Sequence, residues 1–175
     1  MAKKPRILVI TGDGKGKTTA AMGMALRAAG HNMRVFILQF AKNDDSTGEL
    51  AAFKRFDNVR FEQCGCGFIP NSQSPRYTEH KQAAQAGLTI AQQEIASGNW
   101  DVIVLDEICV ALAHGLIDEQ TVFEMLSGAP SSLVLCLTGR GATPALIAAA
   151  DTVSDITCMK HAMDSGLTAQ TGVEF

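Results

Sequence analysis

The sequence lacks any apolar run near the ~18 residues that a membrane-crossing helix needs, and no membrane partner is expected. Its start, Met1-Ala2-Lys3-Lys4-Pro5, is positively charged. No apolar segment ending in a small-residue cleavage site follows, so no secretory signal is read and a cytoplasmic location is expected. An excess of basic charge is also missing. The formal net charge is −3, which argues against a nucleic-acid partner, because such binding rests on neutralising phosphates. No Gly-x-Ser-x-Gly elbow occurs. His31, His80 and His114 are read at turns or polar faces, and His161 at the end of the last strand. No spacing among them fits a metal cluster. Catalysis by a nucleophile of the protein itself therefore has no support. The five cysteines are an odd number. Cys109, Cys136 and Cys158 lie among apolar residues and read as small core side chains. Cys64-Gly65-Cys66 has no second pair at zinc-site spacing and reads as two loop thiols.

What is present is an alternation of short β-branched runs with helical patterns. Strands are predicted over Arg6–Thr11, Arg34–Phe40, Val59–Gln63, Asp101–Leu105, Ser132–Thr138 and Thr152–Met159. Helices are predicted over Lys17–Ala29, Gly48–Phe56, Thr78–Ser97, Asp118–Leu126 and Pro144–Ala150. Met22, Leu26 and Ala29 would form the inner face of the first helix, with Gly30 ending it. Ala84, Leu88, Ala91 and Ile95 would form that of the third. This order implies an α/β fold: an open, mainly parallel sheet covered by helices on both faces, in one domain spanning residues 1–175. Residues 64–77 form a long irregular segment rich in Gly, Pro, Asn and Ser, of the kind that is usually functional. A polar tail closes the chain at 160–175.

Between the first strand and first helix lies Ile10-Thr11-Gly12-Asp13-Gly14-Lys15-Gly16-Lys17-Thr18-Thr19. The common phosphate-loop template is G-x-x-x-x-G-K-[ST]. Anchored on Gly16-Lys17-Thr18, it calls for glycine where Thr11 stands. Gly12 comes one residue late. The strand–loop–helix context still supports a nucleotide site. Gly12, Gly14 and Gly16 let backbone N–H groups turn inward as an anion nest, and the helix start adds unpaired donors. Lys15 and Lys17 can meet phosphate oxygens, while Thr18 or Thr19 can offer a hydroxyl to Mg²⁺. Asp13, a carboxylate beside a triphosphate, is expected to point away or to face the ribose side.

Val102-Ile103-Val104-Leu105-Asp106-Glu107 ends a buried strand with two acids. An acid there helps hold Mg²⁺ in phosphate-loop proteins, and ligands collect at strand ends in open α/β sheets. Adjacent acids point to different sides, so one can bind metal while the other holds water or a backbone group. Capping of the next helix is the alternative. Arg140, in Thr138-Gly139-Arg140-Gly141, follows another buried strand and can pair with a phosphate; a surface arginine in a turn is the alternative.

Across nearly its whole length the chain resembles the phosphate-loop ATP:corrinoid adenosyltransferases of the cobalamin pathway. The carriers are the shortened loop from Thr11 to Ala21, Leu38–Phe40, Val102–Ile108, Leu137–Gly141, Ala149–Ile156 and the end from Lys160 to Phe175. The resemblance implies that ATP donates its 5′-deoxyadenosyl group to the cobalt(I) of a reduced corrinoid and releases triphosphate. ATP would lie reversed relative to ordinary phosphate-loop hydrolases, its triphosphate held by Gly12 to Thr19. Lys17, Thr18, Glu107 and Arg140 would serve catalysis, and Thr18, Asp106 and Glu107 would hold Mg²⁺. Phe68, with Ile69, would close the lower face of the corrinoid. The family pattern has Trp two residues after the Phe, where this chain has Pro70, and commonly Asn where it has Asp13. A reduced flavoprotein electron donor and a homodimer are further implications. A phosphate-loop ATPase or kinase, and a non-catalytic nucleotide- or corrinoid-binding module, are the competing readings.

Overall fold

The computed structural model describes residues 4–44 and 46–174. The readings of Met1 to Lys3 and of Phe175 lie outside the described residues. Six parallel strands form one sheet: β1 (Arg6–Thr11), β2 (Val35–Gln39), β3 (Val59–Gln63), β4 (Val102–Asp106), β5 (Val134–Thr138) and β6 (Thr152–Asp155), in the order β3-β2-β4-β5-β1-β6. The expected α/β architecture is present.

Period-2 alternation divides the strands between two cores. Val35, Ile37, Val102, Val104 and Cys136 face helix α1 (Lys17–Gly30). Phe36, Leu38, Ile103, Leu105, Leu135 and Leu137 belong to the other cluster. That side is covered by α3 (Tyr77–Ser97), α4 (Ile108–Ala113), α5 (Glu119–Ser127) and α6 (Pro144–Ala149), while α2 (Gly48–Phe53) contacts β3. The central strands are therefore buried on both faces, as their near-continuous apolar runs require.

Several sequence expectations need correction. Leu26 is 51% exposed, whereas Met22 and Ala29 are buried. The inner face of α1 runs through Ala21, Met22, Ala25, Ala28 and Ala29, because small side chains let this helix lie close against the sheet. Gly30 is still helical, and Asn32, at φ 59°, takes the left-handed position after the helix. Ala84, Leu88, Ala91 and Ile95 are buried as predicted, but His80 shares their face and is also buried. The last strand ends at Asp155, and Cys158 beyond it is exposed instead of a core residue. β6 is an edge strand paired only with β1, so it has no second neighbour to extend it. Helix α4 escaped prediction because its six residues, ICVALA, are apolar without a helical period.

Candidate active site

The C-terminal ends of the strands carry the site. Parallel register places Gln39 beside Asp106 and Leu105 beside Leu137, which brings Thr138 level with them. Alternation turns all three toward the face covered by α1. There they meet Thr18, the second residue of that helix. Thr18 Oγ1 donates to Asp106 Oδ1 at 2.9 Å, and Thr138 Oγ1 donates to the same oxygen at 2.6 Å. Gln39 Nε2 donates to Asp106 Oδ2 at 2.8 Å. The Asp106 carboxylate has no exposed surface, and these bonds offset the penalty of burying it.

The shifted glycine loop has a structural reason. Thr11 remains a strand residue paired with Asp155, and its hydroxyl accepts from Ala142 N–H at 3.3 Å. The turn begins only at Gly12, at φ 98°, where a Cβ would lie 2.1 Å from Asp155 Oδ1. Gly14 N–H donates to the Ile156 carbonyl at 2.7 Å, clasping the loop to the segment after β6. Gly16, at φ 120°, starts α1.

Lys17 is 7% exposed, and its Nζ donates to the Gly14 carbonyl at 2.7 Å. An ammonium has three donors, so this bond leaves two for anion oxygens. Burial holds Lys17 below the usual lysine value, and Arg140 acts in the same direction, against Glu107, Asp13 and Asp106. Glu107 sits at φ 63° and its side chain makes no cap bond to α4, so helix capping is not what it does. Burial, then Asp106, push its carboxyl above the ordinary value, while Lys17, Lys42 and Arg140 oppose them. Its backbone N–H donates to Thr138 Oγ1 at 2.9 Å. Arg140 Nη2 donates to the Asp13 carbonyl at 3.2 Å, and its Nε lies 3.8 Å from Asp13 Oδ1. The Asp13 side chain is 88% exposed and turned to that guanidinium.

These groups open into a cleft of about 1250 Å³, larger than the ~300–1,000 Å³ of ordinary small-molecule pockets. Its wall includes residues 13–19 of the glycine loop, Glu107 and Arg140, and also Phe68 and Ile69 of the long loop. Phe68 is 98% exposed, whereas Ile69 packs partly against the core. Gly12 and Asp106 lie behind this wall: Gly12 meets the Asp155 carboxylate and the Ile156 backbone, and Asp106 is sealed under Thr18. The long loop is fixed at its start, where Cys64 N–H donates to the Gln39 carbonyl at 3.0 Å, and at its end, where Tyr77 Oη donates to the His114 carbonyl at 2.6 Å.

Sequence reasoning missed three parts of the wall. Lys42, Asn43 and Thr47 come from the segment after β2. Val110 and Ala113 come from the unpredicted α4. His161, Met163, Val173 and Glu174 come from the tail, whose Glu174 carboxylate lies 3.8 Å from Lys15 Nζ. A polar residue ending an apolar strand was a usable signal for Gln39. The tail offered none, since only folding returns it to the loop.

The family described as ATP:corrinoid adenosyltransferase BtuR/CobO/CobP matches residues 3–175. A corrinoid adenosyltransferase of Pseudomonas aeruginosa is 41% identical over 170 residues, covering 97% of this chain and 83% of that protein. The corrinoid adenosyltransferase CobA of Salmonella typhimurium is 34% identical over 169 residues, covering 97% and 85%. One from Sinorhizobium sp is 36% identical over 176 residues, covering 99% and 81%. With a six-stranded parallel sheet, a glycine loop at its rim and similarity running from end to end, this chain belongs to the ATP:corrinoid adenosyltransferase family.

Proposed function

We propose that the chain transfers the 5′-deoxyadenosyl group of ATP to the cobalt of a reduced corrinoid and releases triphosphate. The observation that carries this reading is the shared cleft: one wall is an anion cup, and another presents an almost fully exposed Phe68. A polyanion and a flat apolar macrocycle can therefore meet in one space.

In the proposed reaction the cobalt(I) lone pair attacks C5′ of the ribose. Both electrons of the new cobalt–carbon bond come from the metal, which becomes formally cobalt(III). The C5′–O5′ bond breaks and its electrons stay on the triphosphate. No residue needs to act as nucleophile, consistent with the absence of an elbow or a histidine pair. The loop residues from Lys15 to Thr19 that line the cleft hold the triphosphate through backbone N–H groups and through Lys15 and Lys17, while Gly12 and Gly14 shape the loop, Gly14 by its bond to Ile156. Arg140, already against the loop, adds charge where the leaving group becomes more negative. Asp13, drawn to Arg140, stays off the phosphates. Alignment of the reactants supplies several kcal/mol of the rate enhancement.

The donor set at the end of β4 fits Mg²⁺: a buried carboxylate, a hydroxyl and a second acid are hard oxygen ligands. Thr18 and Glu107, which line the cleft, would hold the ion, with the buried Asp106 behind Thr18 acting through that hydroxyl. When bound, it supplies neutralisation of phosphate charge. Phe68 with Ile69 would cover the lower face of the corrinoid. A reduced flavoprotein electron donor, a homodimeric assembly and a cytoplasmic location belong to the same proposal and rest on the family resemblance. Among the described residues, no helix is long and apolar enough to cross a membrane.

The test is an anaerobic mixture of protein, ATP, Mg²⁺ and chemically reduced corrinoid. A light-sensitive cobalt–carbon product formed together with triphosphate is expected. ADP and phosphate released without corrinoid would replace this reading with a hydrolase or kinase. Binding of both ligands without turnover would leave a binding module.

A further inference from the structure

We propose that Gln39 and Gln63 are positioning residues that fix the Asp106 carboxylate and, through it, orient the Thr18 hydroxyl toward the cation site. The cation rests on the functional reading above; the hydrogen-bond geometry does not.

Gln39 is 1% exposed, at the end of a strand whose four preceding residues are fully buried and apolar. A glutamine there is expensive unless both ends of its amide are used. Both are. Its Nε2 donates to Asp106 Oδ2 at 2.8 Å, and its Oε1 accepts from Gln63 Nε2 at 2.9 Å. Gln63 Nε2 also donates to the Asp44 carbonyl at 3.2 Å. Gln63 Oε1 is buried without a partner among the described residues. Rotating the Gln63 amide would turn that oxygen toward two other acceptors, so the network has one direction. Protons run from Gln63 to Gln39 and from Gln39 to Asp106. A reversed Gln39 would set its oxygen against a carboxylate oxygen.

On the other side of Asp106, Thr138 accepts from Glu107 N–H and must therefore give its own proton to Oδ1. With Oδ2 held by Gln39 and Oδ1 held by Thr138, the carboxylate cannot rotate. Thr18 then spends its proton on Asp106 and keeps its oxygen lone pairs for a cation. Gln63 further joins this network to Asp44, in the segment whose Lys42, Asn43 and Thr47 line the cleft.

The experiment uses the full chain with ATP and Mn²⁺ and no corrinoid, so it reads nothing of adenosyl transfer. Free Mn²⁺ is followed by electron paramagnetic resonance, and ATP affinity is measured separately in chelator. Gln39→Leu is expected to weaken Mn²⁺ binding to the protein–ATP complex by about tenfold or more, with metal-free ATP affinity changed less than about twofold. Gln63→Leu leaves every bond to Asp106 in place and frees only the far end of Gln39, so it should give a smaller loss of the same kind. It also carries the test if Gln39→Leu does not fold. Unchanged Mn²⁺ affinity in the folded variants, equal losses with and without metal, or wild-type protein that binds ATP but no Mn²⁺ would each overturn the assignment. Failure of the corrinoid assay beside a normal Mn²⁺ result would instead overturn the functional reading alone.

Discussion

Replacing Gly14 by Ala separates the loop from the segment that clasps it. Gly14 N–H donates to the Ile156 carbonyl at 2.7 Å. A Cβ at this position would lie 2.6 Å from the Thr157 carbonyl oxygen and 2.7 Å from that of Ile156. Both neighbours are backbone and cannot turn aside as a flexible side chain can, so the two segments must part by about half an ångström or more. The hydrogen bond is lost or stretched, which costs about 1 kcal/mol, and the steric mismatch adds about as much again. Because Lys17 donates to the Gly14 carbonyl, the shift also moves the buried ammonium. A displacement of this size should lower ATP affinity and turnover by roughly tenfold, since a 1 Å error can cost about a hundredfold. Gly23→Ala is the control. Gly23 lies within α1, is exposed, and has no atom within 4 Å of an added Cβ. It should gain about 0.5–1 kcal/mol of stability and raise Tm by roughly 1–4 °C, with no change in ATP binding. Titration calorimetry and thermal unfolding read both variants. A Gly14→Ala protein that binds ATP as the wild type does would refute the clasp, and so would a Gly23→Ala protein that loses equally.

Lys17→Ala should weaken ATP binding and turnover by about tenfold to a hundredfold, the value of charged hydrogen bonds to an anion; calorimetry showing wild-type affinity would contradict this. Phe68→Ala should leave Tm within about 1 °C, because a 98% exposed side chain supports no core. Its turnover should suffer more when corrinoid reduction is part of the assay than when the corrinoid is already reduced, and equal losses would argue against a lower-face role. Gly87→Ala would place a Cβ 2.3 Å from Cys64 Sγ, where the long loop meets α3. It should destabilise by about 1–3 kcal/mol, and Cys64→Ala in the same chain should recover most of the loss, a coupling that a double-mutant cycle in urea measures. Burial pushes the thiols of Cys64, Cys109 and Cys136 up to about 12, against roughly 8.5 in an unfolded chain. Their contribution is complete below the unfolded value and is lost as pH rises toward the folded one, so stability should decline between about pH 8.5 and 12. The Cys109→Ala, Cys136→Ala double variant should show a shallower decline in urea unfolding; an identical slope would exclude these thiols as the cause.

Much of the fold was legible because its signals are local. Apolar runs of strand length, the helical period of Ala84, Leu88, Ala91 and Ile95, and the glycine loop between strand and helix all lie within short windows. The same locality misled at Leu26, where periodicity offered a large apolar side chain to the core. The close approach of α1 to the sheet admitted only smaller residues beside Met22. It misled again at His80, whose polar character hid its place on a buried face, and at Cys158, whose strand stops three residues earlier at the edge of the sheet.

By itself the sequence determined a glycine loop between the first strand and the first helix, since Gly12 to Thr19 are contiguous and their loop is a property of one short segment. It also put Thr138 at the end of one apolar run, Asp106 just past another and Gln39 next to the end of a third. Only the tertiary structure decided that these three stand side by side under Thr18, that Phe68 shares a cleft with Lys17, and that Glu174 returns to Lys15. Alternation along a strand is written in neighbouring residues, but register between strands is set by packing across the whole sheet, and no stretch of chain contains it.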